Sequence, residues 1–223
     1  MSHIDWSYID KVVYINLKRR SDRNYRIKKQ LEYIGIEKGK IIRFDAVETN
    51  PGFIGCTQSH IAVIEMAISE KWSNVLILED DFEFAQELSV IYRTNKYLGA
   101  LRHVPWSVAF FSANYSKVTP FKNINYIVKV DKSWCACAYA VNSDYYEILL
   151  DNFKQGLEHL QRTRQQHRYA LDVYWQILMD KHCWLGVYPS IGHQTPDKSD
   201  IENKFVDYKA LFYKDISIIR KKI

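Results

Sequence analysis

The chain has 223 residues, which is enough for one domain with a sizeable hydrophobic core. Hydrophobic residues make up 47% and charged residues 26%, as in ordinary globular proteins, and there is no apolar run of the roughly 18 residues that would predict a membrane span. The 31 basic residues outnumber the 26 acidic ones, and the net charge of +5 is compatible with an anionic substrate or a lipid surface.

The N-terminal residues, Met1 to Trp6, lack the basic start and apolar centre of a signal peptide. No Cys-x-x-Cys pair occurs, which argues against a structural zinc site. The four cysteines are Cys56, Cys135, Cys137 and Cys183. Reduced thiols packed as small hydrophobic side chains are the simpler interpretation, and they favour a reducing compartment. We therefore expect a cytoplasmic protein.

Strand–helix alternation dominates the first half of the chain. Predicted strands span residues 12–17, 41–44, 75–78 and 107–111, and predicted helices span 22–34, 55–72 and 86–103. The second half is more mixed. It predicts strands at 124–130 and 134–141 with a tight turn at 131–132, helices at 143–150 and 170–180, and a strand at 184–188. A helix leading directly into a buried strand is half of a parallel βαβ unit, so the pattern predicts an α/β fold.

The most informative segment is an apolar run, Val75 to Leu78, that leads straight into Glu79, Asp80 and Asp81. The run reads as a buried strand, and open α/β sheets bind their ligands at strand ends. Three adjacent carboxylates repel one another, and a divalent cation removes that conflict. The segment predicts a metal–diphosphate site; the alternative is three solvated loop acids.

A basic segment follows the first strand, with seven basic residues between positions 18 and 29 and one acid, Asp22. Most of these residues are interpreted as a solvated helix face. Arg20 and Arg23 lie where the strand meets its helix, the place where nucleotides dock in doubly wound folds, and arginine binds phosphate with a planar fork. Nucleic-acid binding is disfavoured because the aromatic residues are scattered rather than interleaved with this segment. The glycine-rich signatures of P-loop and dinucleotide-binding enzymes do not occur in the sequence.

Five segments, in order along the chain, resemble motifs of glycosyltransferase family 25, which includes lipooligosaccharide and collagen-modifying galactosyltransferases. They are Ile15–Arg23, Gly55–His60 (Gly-Cys-x-x-Ser-His), Leu78–Asp81 (Leu-Glu-Asp-Asp), Ala138–Tyr139, and Pro189 with Gln194 and Ser199–Ile201. One departure is Cys135-Ala136, which replaces a Gly-Thr pair usual in the family, so the donor sugar or acceptor is open. We also expect no extra domain of the kind seen in collagen-modifying members.

The resemblance implies a single GT-A (Rossmann-like) domain with a mixed, mostly parallel sheet flanked by helices. It implies a nucleotide-sugar and metal half at about 12–112, an acceptor half at about 113–201 and a C-terminal tail at 202–223. It further implies transfer of a hexose, galactose or glucose, from a UDP-sugar to a hydroxyl of a glycan or glycoconjugate. Manganese or magnesium is the expected cofactor, and inversion at the anomeric carbon is the expected outcome.

Site residues follow from this resemblance and from position. Asp81 is assigned to the metal, and Glu79 to the metal or the ribose, because alternate residues face the same side of a strand end. Asp80 is expected to support the loop from the opposite side, within the nucleotide-sugar site. The remaining expected nucleotide-sugar contacts are Asn16, Leu17, Arg20, Arg23, Asp45, Ala46, Ser59 and His60. Ser59 and His60 are placed at a helix start, where free amides favour anions, with Thr57 or Ser59 as the cap.

Inversion needs a base that deprotonates the acceptor hydroxyl, and Asp172 is our candidate. It begins a predicted helix among aromatic residues; the alternative is an acid that interacts with the helix dipole. His193 or Gln194 is expected to complete the metal or phosphate shell, the alternative for His193 being a surface loop position.

Two further functions stay open. One is a catalytically inactive nucleotide-sugar-binding module of the same fold. The other is weak contact with a membrane surface through the basic, amphipathic end, residues 216–223, whose alternative is a packed or frayed terminus. We expect no nucleic-acid partner and no transmembrane segment.

Overall fold

The computed structural model describes residues 3–220. In this range the strands are β1 (Lys11–Asn16), β2 (Ile41–Asp45), β3 (Asn74–Glu79), β4 (Phe82–Phe84), β5 (Val108–Phe121), β6 (Ile124–Asn142), β7 (Trp184–Val187), β8 (Gly192–Gln194), β9 (Asp197–Lys198) and β10 (Phe205–Val206). The α-helices are α1 (Ser21–Tyr33), α2 (Gly52–Ser69), α3 (Leu88–Leu101), α4 (Tyr146–Thr163), α5 (Gln166–Tyr169), α6 (Leu171–Tyr174), α7 (Gln176–Met179), α8 (Lys209–Phe212) and α9 (Ile216–Ile219).

The central sheet has six strands in the order β2-β1-β3-β6-β5-β7. Strand β1 is parallel to both neighbours, β5 is parallel to β7, and β6 runs antiparallel to β3 and β5. Five of these six strands therefore point the same way, which confirms the predicted α/β fold with a mixed, mostly parallel sheet. Because helices cover both faces of the sheet, the apolar run of β3 is buried throughout.

Two hydrophobic clusters lie on opposite faces of the sheet. Alternate residues of β3 enter different clusters, with Val75 and Ile77 facing α2 and α4, and Leu76 and Leu78 facing α1 and α3. This double-sided packing fixes the position at which β3 ends and its acids begin.

The predicted turn at Asp131 and Lys132 is wrong, because one long strand, β6, passes through it. Asp131 is buried and accepts a hydrogen bond from the Thr119 hydroxyl (2.7 Å), so a cross-strand contact satisfies a residue type that usually marks turns. The hairpin turns instead around Asn123, whose φ is +62°.

Helix α2 begins at Gly52 rather than Gly55, directly after Pro51. Thr57 and Ser59 therefore do not cap it. Their hydroxyls donate to carbonyl oxygens four residues back, and His60 lies in the third turn, away from the positive end of the dipole. The helix-start argument for Ser59 and His60 is thus wrong.

Two predicted helices in the second half also differ. The one at 143–150 extends much further, as α4, and the one at 170–180 is divided into short helical segments within 166–179. Among the described residues, no helix is both long and apolar enough to cross a membrane. Residues 221–223, the basic end of the predicted lipid-contacting tail, lie outside the described residues, as do Met1 and Ser2.

Candidate active site

The predicted acids lie at the edge of the sheet where β1, β2 and β3 all end. Ile15 is paired with Glu79 across this edge, and Asn16 with Asp45. Strand β8 pairs with β4 just beyond the acids and brings Gln194 to the same place. Parallel strands thus bring distant parts of the chain together at one edge of the sheet, as α/β sheets commonly do.

Two adjoining cavities meet at this edge. They share Arg23, Cys56, Glu79, Asp81 and Gln194 as walls. The cavity on one side, here the Asp172 cavity, is also lined by Phe53, Cys135, Ala136, Asp172 and Tyr208. The cavity on the other side, here the His60 cavity, is also lined by Leu17, Ala46, Ser59, His60 and Asp80. Glu79 and Asp81 therefore form part of the wall that the two cavities share.

Asp80 is held from the side of β1 and α1. Its carboxylate accepts hydrogen bonds from the Asn16 amide (2.7 Å) and from the Arg23 guanidinium (3.0 Å). Burial raises the pKa of Asp80, while Arg23 opposes that shift. These contacts fix the loop that follows β3.

Asp81 is the least satisfied acid of the cluster. One carboxylate oxygen pairs with Arg23 at 3.1 Å, while the other, Oδ1, is buried without a hydrogen-bond partner among residues 3–220. Burial and the neighbouring Glu79 raise the pKa of Asp81 to about 7. An unpartnered buried carboxylate oxygen is costly, and a hard divalent cation with oxygen ligands removes that cost. The residues present therefore fit a cation held by Asp81 and Glu79.

Glu79 is contacted from two elements, α2 and β8. Its Oε1 lies 3.4 Å from His60 Nε2 and 3.8 Å from Cys56 Sγ, and its Oε2 accepts from the Gln194 amide at 3.3 Å. The other ring nitrogen of His60 is 2.8 Å from the Tyr139 hydroxyl. The α2 motif thus contacts Glu79 directly, and Tyr139 of the β6 motif supports that contact through His60.

The α2 motif also fixes the loop after β2. The Ser59 hydroxyl accepts from the Val47 amide (2.8 Å), and the Gly55 amide donates to the Thr49 hydroxyl (2.7 Å). A Cβ atom on Gly55 would overlap the Val47 carbonyl oxygen. Glycine and serine at these positions let the loop, with Ala46, pass against the helix and line the His60 cavity.

This close approach predicts that Gly55→Ala destabilises the protein by about 1–3 kcal/mol, because backbone rather than a flexible side chain must move. The matched control is Gly99→Ala in α3, where an added Cβ meets nothing within 4 Å and should stabilise the helix by about 0.5–1 kcal/mol. Urea denaturation of both variants checks the pair. Equal changes in the two midpoints would contradict this explanation of Gly55.

The arginines of α1 hold a C-terminal segment against the site. Arg20 pairs with Asp197 (2.9 Å) and Asp200 (2.5 Å), and Arg26 pairs with Asp197 (2.6 Å). Arg23 donates to Lys198 O at 3.1 Å in addition to its bonds with the acids. Of these arginines, Arg23 alone lines the cavities among the described residues.

Asp172 lies in the first turn of α6, inside the cavity that bears its name. Its Oδ2 accepts a hydrogen bond from the Cys135 amide at 3.0 Å, and burial raises its pKa. Cys135 has φ of +70°, a left-handed conformation that favours glycine, which gives a physical reason for the family's usual glycine here. The bend aims the amide of Cys135 at Asp172.

The structure brings most of the predicted residues to the cavities, but four do not line them. Asn16 is buried behind Asp80, Arg20 is engaged by the C-terminal segment, and the exposed Asp45 pairs with Arg43 at 2.9 Å. His193 faces away, with its ring 3.1 Å from the Tyr213 hydroxyl. Because side chains alternate along β8, Gln194 faces Glu79 and His193 cannot.

Sequence reasoning missed Cys56, Thr195 and Tyr208 as cavity residues. A signal for Cys56 was present, since it lies four residues before His60 and so on the same helix face. No local sequence pattern indicated Thr195 or Tyr208. The backbone amide of Thr195 donates to the Asp81 carbonyl oxygen (2.7 Å).

Comparison with known proteins gives one family and several similar structures. Residues 49–188 match the model of glycosyltransferase family 25, described as an LPS biosynthesis protein. A Drosophila melanogaster protein named Glycosyltransferase 25 family member is 30% identical over 101 residues, covering 34% of this chain. The chain spans 16% of the length of that curated relative.

Among solved structures, A197 from STIV has a TM-score of 0.49 at 10% identity, covering 88% of this chain and 93% of that one. A glycosyltransferase involved in glycosylation of the major capsid of PBCV-1 has a TM-score of 0.41 at 10% identity, covering 79% and 92%. The family match contains the α2, β3 and β6 motifs, and it leaves Ile15–Arg23 and Gln194 outside. It covers more than half of the 223 residues, and the chain therefore belongs to glycosyltransferase family 25.

Proposed function

We propose that this chain is a metal-dependent glycosyltransferase that moves a hexose, galactose or glucose, from a UDP-sugar to a hydroxyl of a glycan or glycoconjugate with inversion. The observation that carries the proposal is the buried Oδ1 of Asp81, which has no hydrogen-bond partner within the described part of the chain and lies beside Glu79 in the wall between two cavities. Family membership supports the transferase class.

Manganese or magnesium bound by Glu79 and Asp81 would neutralise the charge of the departing diphosphate. Residues of the chain supply the rest of the donor site. Leu17 and Ala46 line the His60 cavity beside the acids and are suited to the nucleoside. Arg23, which contacts both Asp80 and Asp81, is close enough to the cation site to pair with a phosphate oxygen.

Asp172 is proposed as the general base. An inverting transfer needs the acceptor hydroxyl on the face of the sugar opposite the diphosphate, and the two cavities lie on either side of the acidic pair. Burial raises the pKa of Asp172, which makes its carboxylate a better proton acceptor. Its bond from the Cys135 amide holds the carboxylate in place.

The test is release of UDP from a panel of UDP-hexoses by the purified full chain, with manganese, with magnesium and with EDTA. We expect release with one donor, increased by an acceptor sugar and abolished by EDTA. The second candidate function is a binding module that holds nucleotide-sugar without turnover. Manganese-dependent UDP binding with no release across the panel would favour that module and contradict the enzyme.

A further inference from the structure

Three metal-binding side chains converge beside the proposed catalytic pair. The atoms are Cys56 Sγ, His60 Nε2 and Glu79 Oε1, and all lie within 4.8 Å of one another. Sulfur and imidazole are not ligands that manganese or magnesium prefer, whereas a Cys–His–carboxylate set suits zinc and related cations. This trio is therefore distinct in its chemistry from the pair of Glu79 and Asp81.

Helix α2 and strand β3 both contribute to this arrangement. Cys56 and His60 are four residues apart in α2, so their side chains project from the same helix face. Glu79, the last residue of β3, reaches that face from the sheet. Both α2 side chains line the cavities as well as the hydrophobic core.

Two of the three distances between ligand atoms match those around a tetrahedral ion, and the third is no longer than 4.8 Å. Usual zinc bond lengths put a nitrogen and an oxygen ligand about 3.4 Å apart, and a sulfur and an oxygen ligand about 3.6 Å apart. The observed separations are 3.4 Å from His60 Nε2 to Glu79 Oε1 and 3.8 Å from Cys56 Sγ to the same oxygen. Little side-chain movement is needed to bind an ion at the centre.

His60 also has the outer partner that metal-binding histidines usually have. Its Nδ1 lies 2.8 Å from the Tyr139 hydroxyl, and the two rings stack with centroids 5.7 Å apart. With Nδ1–H donating to Tyr139, the lone pair of Nε2 points at the space between Cys56 and Glu79. The imidazole is fully buried and so has one orientation.

We propose that Cys56, His60 and Glu79 form a binding site for a thiophilic divalent cation of the zinc class, with the fourth position open to the cavity. Burial and Glu79 raise the pKa of the Cys56 thiol, so binding must release its proton. Because Glu79 belongs to both sets, zinc bound at this site competes with manganese at Glu79 and Asp81 for the same carboxylate. The inhibitory consequence rests on the proposed function, whereas the binding itself does not.

The test titrates the metal-free full chain with cobalt(II), which substitutes for zinc and absorbs light. We expect a thiolate-to-cobalt charge-transfer band and tetrahedral d–d bands at one equivalent, both removed by added zinc and not by magnesium. Cys56→Ser should abolish the charge-transfer band, and Glu79→Gln should weaken cobalt affinity at least tenfold.

Two cysteine variants serve as controls. Cys183→Ser, whose thiol lies outside both cavities, should leave the spectrum unchanged, and Cys135→Ser tests the other thiol of the Asp172 cavity. Circular dichroism of each variant establishes that it is folded. A wild-type chain without the band, or a band that persists in folded Cys56→Ser, would overturn the proposal.

An activity measurement then separates this site from the proposed function. Micromolar zinc should inhibit manganese-dependent UDP release by wild type, and Cys56→Ser should need at least tenfold more zinc for the same inhibition. If the protein shows the cobalt band but no transferase activity, the proposed cation site is supported and the proposed glycosyltransferase function is contradicted. If it shows transferase activity but no band, the proposed function is supported and the proposed cation site is contradicted.

Discussion

Asp81→Asn is expected to make the metal-free protein more stable and, at the same time, to abolish its activity. Burial and the neighbouring Glu79 raise the pKa of Asp81 to about 7 in the native state, so the unfolded chain releases this proton first as pH rises. Between about pH 4 and pH 7 the native state binds more protons, and stability falls as pH rises through that range. Asparagine removes this penalty.

The size of the stability gain in Asp81→Asn follows from the pKa shift of Asp81. About three pH units correspond to roughly 4 kcal/mol at most, and this upper limit already includes the opposing attraction of Arg23. We expect a net gain of about 1–2 kcal/mol at pH 8 that disappears near pH 4, measured by urea denaturation in EDTA. Loss of the cation ligand should lower UDP release by about 100-fold or more.

The control for this variant is Asp180→Asn, an exposed residue that lines neither cavity. It should change neither the pH profile of stability nor UDP release. Manganese should stabilise wild type and fail to stabilise Asp81→Asn. If Asp81→Asn were less stable than wild type at pH 8, the buried carboxylate would be satisfied in a way that the structure does not contain.

Asp172→Asn is expected to lower the rate of transfer by about 100- to 10,000-fold while leaving donor binding intact. The amide oxygen of asparagine can still accept from the Cys135 amide, so the geometry of the cavity is kept and the proton acceptor is lost. UDP affinity in manganese, measured by calorimetry, should stay within about twofold of wild type. The acid limb of the pH–rate profile should disappear in the residual activity.

A matched control is Asp151→Asn, an exposed acid of α4 that lines neither cavity. Its rate should equal that of wild type. A fully active Asp172→Asn would assign the base to another residue, and a variant that lost UDP binding in parallel with the rate would make Asp172 a structural residue.

The core of the fold and the position of the acids are accessible from the sequence because both depend on local signals. The run from Val75 to Leu78 is apolar because the sheet is covered on both faces, and the polar residues after it must lie at its edge. The turn predicted at Asp131 was wrong because the partner that satisfies its carboxylate, Thr119, belongs to another strand.

The direction in which a side chain points was harder to predict than the place of its residue along the chain. His193 and Gln194 are adjacent in the sequence, and only the pairing of β8 with β4 decides which of them faces Glu79. His60 was expected near the acids for the wrong reason, since it is held by Tyr139 and not by a helix start. Arg20 does not line the cavities because it pairs with Asp200, a residue 180 positions away that no local sequence pattern indicates.

The ion pairs between α1 and the segment after β8 have a consequence for how the site comes into being. Arg20, directly before α1, pairs with Asp197 and with Asp200, and the latter is synthesised 180 residues after it. A nascent chain that has reached β7 already contains all six strands of the sheet and the acidic triplet, yet lacks Gln194, Thr195 and both of these aspartates. The cavities thus assemble only after the strands of the sheet have been made, and a chain truncated before position 194 would keep all six of those strands but lose Gln194, Thr195 and the two aspartates, together with the buried Phe212 and Ile219.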